Sequence, residues 1–135
     1  NESLFLNDNR SEYVAGVELA AVSVNKNILS WVQIGAPHLL IVNEKGFQPL
    51  CYTPDWAWQI QQNTPLLCQA LGLEKSINLH CGSYRIQGGE KLVLVSRSQI
   101  PSSLYGLKKI ELDRIAQALA SDEPETPFWV GLQQF

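Results

Sequence analysis

The chain has 135 residues, the length of one domain with a core of its own. With 45% apolar and 17% charged residues it is a globular chain, not a disordered one. Its net charge of −3, with ten scattered Lys and Arg, argues against a nucleic-acid partner, and no apolar run reaches the roughly 18 residues of a membrane helix.

The first residues, "NESLFLNDNR", lack a basic start and a long apolar stretch, so they do not read as a signal peptide. The chain contains no methionine, and Asn1 is not a residue that usually follows a removed initiator. We therefore expect residues 1–135 to be a single domain, a piece of a longer product. Residues 1–13 read as a helix end or loop. "VAGVELAAVSV" (14–24) opens a Val- and Ala-rich run. "NKN" (25–27) signals a turn, and "ILSWVQIG" (28–35) alternates as a strand. "HLLIVN" (38–43) reads as a buried strand. "NEKG" closes a hairpin with Gly46 free to take positive φ, and "FQPLCY" (47–52) continues as an edge strand because Pro49 cannot donate to a ladder. Residues 14–52 should thus form a meander of three or four antiparallel strands.

"TPLLCQALG" predicts a short helix with Thr64 as N-cap, Pro65 in first position and Gly72 at its stop. "SINLHCGSYRI" (76–86) alternates as a strand, "QGGE" turns, and "KLVLVS" (91–96) reads as a central strand. "SRSQIPSSLYG" is a loop broken by Pro101. Residues 108–122 predict the longest helix, with Ile110, Leu112, Ile115, Ala118 and Leu119 on one stripe and its charges on the solvated face. "FWVGLQQF" (128–135) closes as a strand. The order predicts an α+β domain with mainly antiparallel sheets. Strands this apolar need cover on both faces, one from the long helix and one from a second sheet, for which the chain looks short of strands.

Cys51, Cys68 and Cys81 are odd in number and lack CxxC spacing, so we read them as reduced, partly buried thiols of a cytoplasmic protein; a zinc site at His80-Cys81 is poorly supported. His38 reads as a half-buried strand residue that could alternatively contact phosphate, and His80 as a packed one. "DWAW" offers Asp55, Trp56 and Trp58 either as an interaction surface or as core packing. No P-loop, GxGxxG or nucleophile elbow is present.

In order and spacing, these segments resemble the C-terminal half of the type-2C metal-dependent (PPM) protein phosphatases. "GVELAAVSVNKNILSWVQIGAPHLLIVNEKGFQPL" is similar to the family's Gly-Thr-Thr strand followed by its Gly-Asp-Ser-Arg strand and hairpin. "TPDWAW" is similar to its Asp-His stretch, "YRIQGGEKLVLVSRSQIPSSL" to its Gly-Asp turn, strand and Ser-Asp-Gly loop, and residues 114–135 to its last helix, acidic loop and closing strand. The resemblance implies part of a phosphatase-2C-like β-sandwich. It also implies carboxylates that hold Mn²⁺ or Mg²⁺ and activate water against a phosphoserine or phosphothreonine. Two of those positions are changed. Ala36 stands at a metal-binding aspartate, with Pro37 and His38 at the following serine and arginine. Ser96 matches a serine, but Arg97 stands at the next metal-binding aspartate. Asp122, Glu123 and Glu125 surround the family's last aspartate, in a register left open.

The expectation is a non-catalytic, pseudophosphatase-like interaction or regulatory domain with no cofactor and no catalytic residue. Its degenerate cleft holds Ala36, His38, Ser96, Arg97 and Glu125, and its partner is another protein or the missing N-terminal half. One alternative is an active Mn- or Mg-dependent Ser/Thr phosphatase whose N-terminal half is absent from this chain. Another is a structural module that self-assembles as a homo-oligomer. Neither nucleic acid nor membrane is expected as a partner.

Overall fold

The computed structural model describes residues 16–35, 37–50, 70–72, 77, 79–97 and 100–135. The four strands expected over residues 14–52 are present as β1 (Leu19–Asn25), β2 (Ile28–Ile34), β3 (His38–Asn43) and β4 (Gly46–Pro49), but as two hairpins rather than the expected meander, because β2 and β3 do not pair. They are divided between two sheets. β1 and β2 pair with β5 (His80–Arg85) in the order β1-β2-β5. β3 and β4 join β6 (Lys91–Val95) and β7 (Val130–Gln134) in the order β4-β3-β6-β7. All pairings are antiparallel. The chain changes sheet at Gly35, whose φ of 80° is cheap only for glycine. Gly46, with φ of 98°, turns the β3–β4 hairpin as expected. The position of Pro49 on an edge strand and the central place of β6 both follow the sequence reading.

β3 and β6 read as unbroken apolar runs because both of their faces are covered. Leu40, Val42, Val93 and Val95 pack against Leu104, Ile115 and Leu119 of the helical layer. Ile41 and Leu92 face the other way and meet Leu29 and Ile86, with Trp31, Tyr84 and Leu94 around them. The second sheet that these strands required is the three-stranded one. Each fully buried Leu, Ile or Val here contributes roughly 1.5–3 kcal/mol.

The helical layer is α1 (Ser102–Tyr105) and α2 (Leu112–Asp122). α1 was not expected; Pro101 precedes it with φ of −65° and caps it without a side-chain bond. α2 starts later than residue 108. Its first bond runs from the Ile115 amide to the Glu111 carbonyl, and the Ile110 carbonyl is taken instead by the Lys91 ammonium at 2.8 Å. The buried stripe is correspondingly narrow: Ile115 and Leu119 are buried, Ala118 packs beside them, and Leu112 is 44% exposed. Among the described residues no helix is long and apolar enough to cross a membrane.

Two expectations about β5 are corrected. His80 opens the strand exposed rather than packed, and Cys81 is a free, exposed thiol rather than a partly buried one. β5 is an edge strand, and only its Tyr84 end reaches the interior. Cys51, Cys68, Asp55, Trp56, Trp58 and the expected helix at 64–72, apart from its end, lie outside the described residues. Gly82 on β5 sits under the Trp31 ring: a Cβ there would come within 2.8 Å of Trp31 Cζ2. The aromatic plane fills the space a side chain would have taken on this edge. Gly82→Ala should therefore displace the indole and cost about 1 kcal/mol. The check is a moved Trp31 indole N–H resonance together with a lower denaturation midpoint.

Candidate functional site

Three strand ends converge at one end of the four-stranded sheet. β3 begins there with His38, β6 ends there with Val95, and β7 begins there with Val130. Val95 lies opposite both His38 and Val130. Ser96 extends the ladder by one residue. Its amide donates to the Trp129 carbonyl at 3.1 Å, and its hydroxyl oxygen accepts the Trp129 amide at 2.7 Å. The β2–β3 connection arrives at the same end, where the Gln33 side-chain amide donates to the Gly35 carbonyl at 3.1 Å. The topology thus brings together Gly35, Pro37, His38, Ser96 and Arg97. His38 is buried, at 6% exposure. Ala36 lies between described neighbours but is itself outside the described residues.

Arg97 is the centre of this cluster and is only 4% exposed. Its Nη2 donates to the carbonyls of Glu123 at 2.7 Å and Thr126 at 3.1 Å. Its Nη1 lies 3.7 Å from the Glu123 carboxylate, and the guanidinium sits 4.9 Å from the centroid of the Phe128 ring. One side chain therefore fastens the end of β6 to the segment between α2 and β7. Among the described residues, Nε and Nη1 have no hydrogen-bond partner, so the group carries surplus donor capacity there. Of the three acids near the expected last ligand, Glu123 is the one that reaches Arg97. Glu125 and Asp122 are exposed.

A hard divalent cation requires carboxylate and carbonyl oxygens converging on one point. The end of β6 supplies a fixed positive charge instead, and that charge takes two backbone carbonyls for itself. Among the described residues no group of three or more His, Cys, Asp or Glu could hold a metal ion.

A second polar cluster, at the other end of the same sheet, escaped the sequence reading. Glu90 is 4% exposed. Its Oε1 accepts the Tyr84 hydroxyl at 2.8 Å and the Asn43 amide at 3.4 Å, and its Oε2 accepts the Gln87 backbone N–H at 2.8 Å. Burial works to raise the Glu90 carboxyl, but these donors outweigh it and hold its pKa below the usual carboxylate value. The bond to Glu90 pushes the Tyr84 phenol upward, with burial and the nearby negative charge adding to it. The cluster lines a cavity of about 630 Å³ with Lys45, Gln48 and Lys91. The signal that could have revealed it is an acid directly after a Gly-Gly turn, at the mouth of a buried strand.

No family model matches the sequence, and no curated protein matches it. Solved structures do. The chain is similar to PppA, a key regulatory component of T6SS in Pseudomonas aeruginosa, with a TM-score of 0.78 and 14% identity, over 99% of this chain and 65% of PppA. It is similar to the Mycobacterium tuberculosis serine/threonine phosphatase PstP/Ppp, with a TM-score of 0.73 and 12% identity, over 97% of this chain and 65% of that one. A third likeness is to the catalytic domain of PstP in complex with two manganese ions, with a TM-score of 0.69 and 16% identity, over 98% and 65% of the two chains. This chain has the fold of the PPM serine/threonine phosphatases and spans 65% of the length of these three.

Proposed function

We propose that this chain is a non-catalytic, phosphatase-like interaction or regulatory domain acting in a cytoplasmic signalling context, with its metal-ligand positions lost at Ala36 and Arg97. The observation that carries this reading is the Arg97 clamp. A guanidinium that draws the Glu123 and Thr126 carbonyls to itself does the connecting that a bound cation could do between the end of β6 and this segment. It also opposes any dication placed beside it, by roughly 7 kcal/mol at about 5 Å with an effective dielectric of 20. On this reading the buried His38, with Ser96 and Glu125, belongs to a retired cleft. Protein partners, with Asp55, Trp56 and Trp58 as a candidate contact surface, take the place of a substrate.

Calorimetric titration with Mn²⁺ tests this. The expected result is no saturable binding below about 1 mM; a site of micromolar affinity in this chain contradicts it. One observation favours a second reading, that of an active Mn- or Mg-dependent enzyme: the chain spans only 65% of the solved phosphatases, which leaves room for further ligands on another segment.

A further inference from the structure

The cavity of about 630 Å³ beside Glu90 lies between two turns: the β3–β4 turn at Glu44 and Lys45, and the Gln87–Glu90 turn that leads from β5 into β6. It is remote from Arg97. β3 runs from His38 at the Arg97 end to Asn43 at the cavity, about 17 Å at roughly 3.3–3.4 Å per residue. Its volume falls within the roughly 300–1,000 Å³ of sites for small molecules. Asn43 joins the two turns: its Oδ1 accepts the Lys45 backbone N–H at 2.9 Å, while its Nδ2 donates to Glu90 Oε1 at 3.4 Å. The glycines of the second turn leave room, since a Cβ on Gly88 or Gly89 would meet no described atom within 4 Å.

Glu90 is the buried charge of this cavity. Its three donors, the Tyr84 hydroxyl, the Asn43 amide and the Gln87 N–H, are all neutral. They solvate the carboxylate and keep it ionised at neutral pH, but they do not neutralise it. Among the described residues it makes no ion pair. Buried charges are ordinarily paired, and a carboxylate offers about four acceptor positions, of which these donors take three. Lys45 is exposed, and Lys91 is held by its bond to the Ile110 carbonyl at 2.8 Å. With Glu44, the ionised groups of the wall are two glutamates and two lysines, which sum to zero. A lone cation meets the two ammonium groups, and a lone anion meets the two carboxylates. A molecule that carries both charges can set each against its opposite. An apolar ligand would leave this polar wall without partners.

We propose that this cavity binds a small zwitterion, an amino acid or a short peptide, with its ammonium group on Glu90 and its carboxylate on Lys45 and Lys91. The carboxamides of Gln48 and Gln87 remain for the polar groups between the two charges. Such a ligand ties the β3–β4 turn to the connection between the two sheets, and it gives the domain a chemical input at the end opposite Arg97. The site does not depend on whether the cleft is catalytic.

The test is a titration of the ¹⁵N-labelled product of the whole reading frame, followed by amide shifts, with each of the twenty amino acids and with diglycine and triglycine. At least one probe should move the Asn43–Lys45 and Gln87–Lys91 amides saturably, with a Kd below about 1 mM. Acetylating the amine or amidating the carboxylate of that probe should each weaken binding about 10-fold or more, as should Lys45→Gln and Glu90→Gln. Lys45 is exposed, so its variant folds like the parent whatever becomes of the Glu90 one. No saturable shift from any probe up to about 10 mM overturns the proposal. A capped form that binds as well as the free one assigns the cavity to a plain anion or cation and also overturns it, as do shifts centred on Ser96 and Arg97 instead.

Discussion

Replacing Arg97 by alanine should destabilise the fold by about 3 kcal/mol. The variant loses two hydrogen bonds from a charged donor, at about 1.5 kcal/mol or more each, and a cation–π contact with Phe128 that adds about 1 kcal/mol. Against this stands the relief of burying a guanidinium whose Nε and Nη1 find no acceptor among the described residues. The net loss should appear as a lower urea midpoint with an unchanged slope, and as faster amide exchange in residues 123–128. Arg97→Lys separates charge from geometry. An ammonium keeps the charge but cannot reach two carbonyls and stack on a ring with one planar group, so it should recover less than half of the loss. An alanine variant within about 0.5 kcal/mol of the parent would show that the clamp contributes nothing, and the reading of the cleft would lose its main support.

Glu90→Ala should cost about 2 kcal/mol. The Tyr84 hydroxyl, the Asn43 amide and the Gln87 N–H all lose their acceptor, which is itself buried. Glu90→Gln keeps one acceptor oxygen and should lie between. The same cluster sets a pH dependence. The Glu90 carboxyl is held below its unfolded value, so its stabilisation is complete above about pH 4.3 and is lost as the pH falls through the lower folded value. Tyr84 is raised, so its share is complete below about pH 10 and fades as the pH climbs through the higher folded value. Melting temperatures taken from pH 7 to pH 3 should fall more steeply for the parent than for Glu90→Gln. Parallel curves would remove this carboxylate from the acid limb.

What was legible in the chain was local. "KLVLV" announced a strand covered on both faces, and the structure sets it between β3 and β7. Pro49 announced an edge, and Gly46 a hairpin. The change of sheet at Gly35 was not legible, because a glycine between two strands reads the same whether the chain turns back or crosses over. The late start of α2 has a non-local cause: Lys91, nineteen residues earlier, takes the Ile110 carbonyl that a longer helix would have used. His80 and Cys81 looked packed because alternation reveals a strand and not its place in the sheet.

The cleft was legible in part. The order of turns and strands resembled a phosphatase fold, and the solved structures share that fold. Ala36 and Arg97 stood out as residues foreign to a metal site. That Arg97 turns inward onto carbonyls 26 and 29 positions away was beyond any spacing rule. Glu123 and Glu125 could not be told apart until the backbone placed one beside the guanidinium and the other in solvent.

The most direct measurement is phosphatase turnover by the product of the whole reading frame, using a generic phosphomonoester and titrating Mn²⁺ and Mg²⁺. A non-catalytic domain gives no turnover above the no-enzyme rate at any metal concentration, from protein shown to be folded. Saturable, metal-dependent turnover that a chelator abolishes would contradict it, and would mean that a segment beyond this chain supplies the acids missing at Ala36 and Arg97.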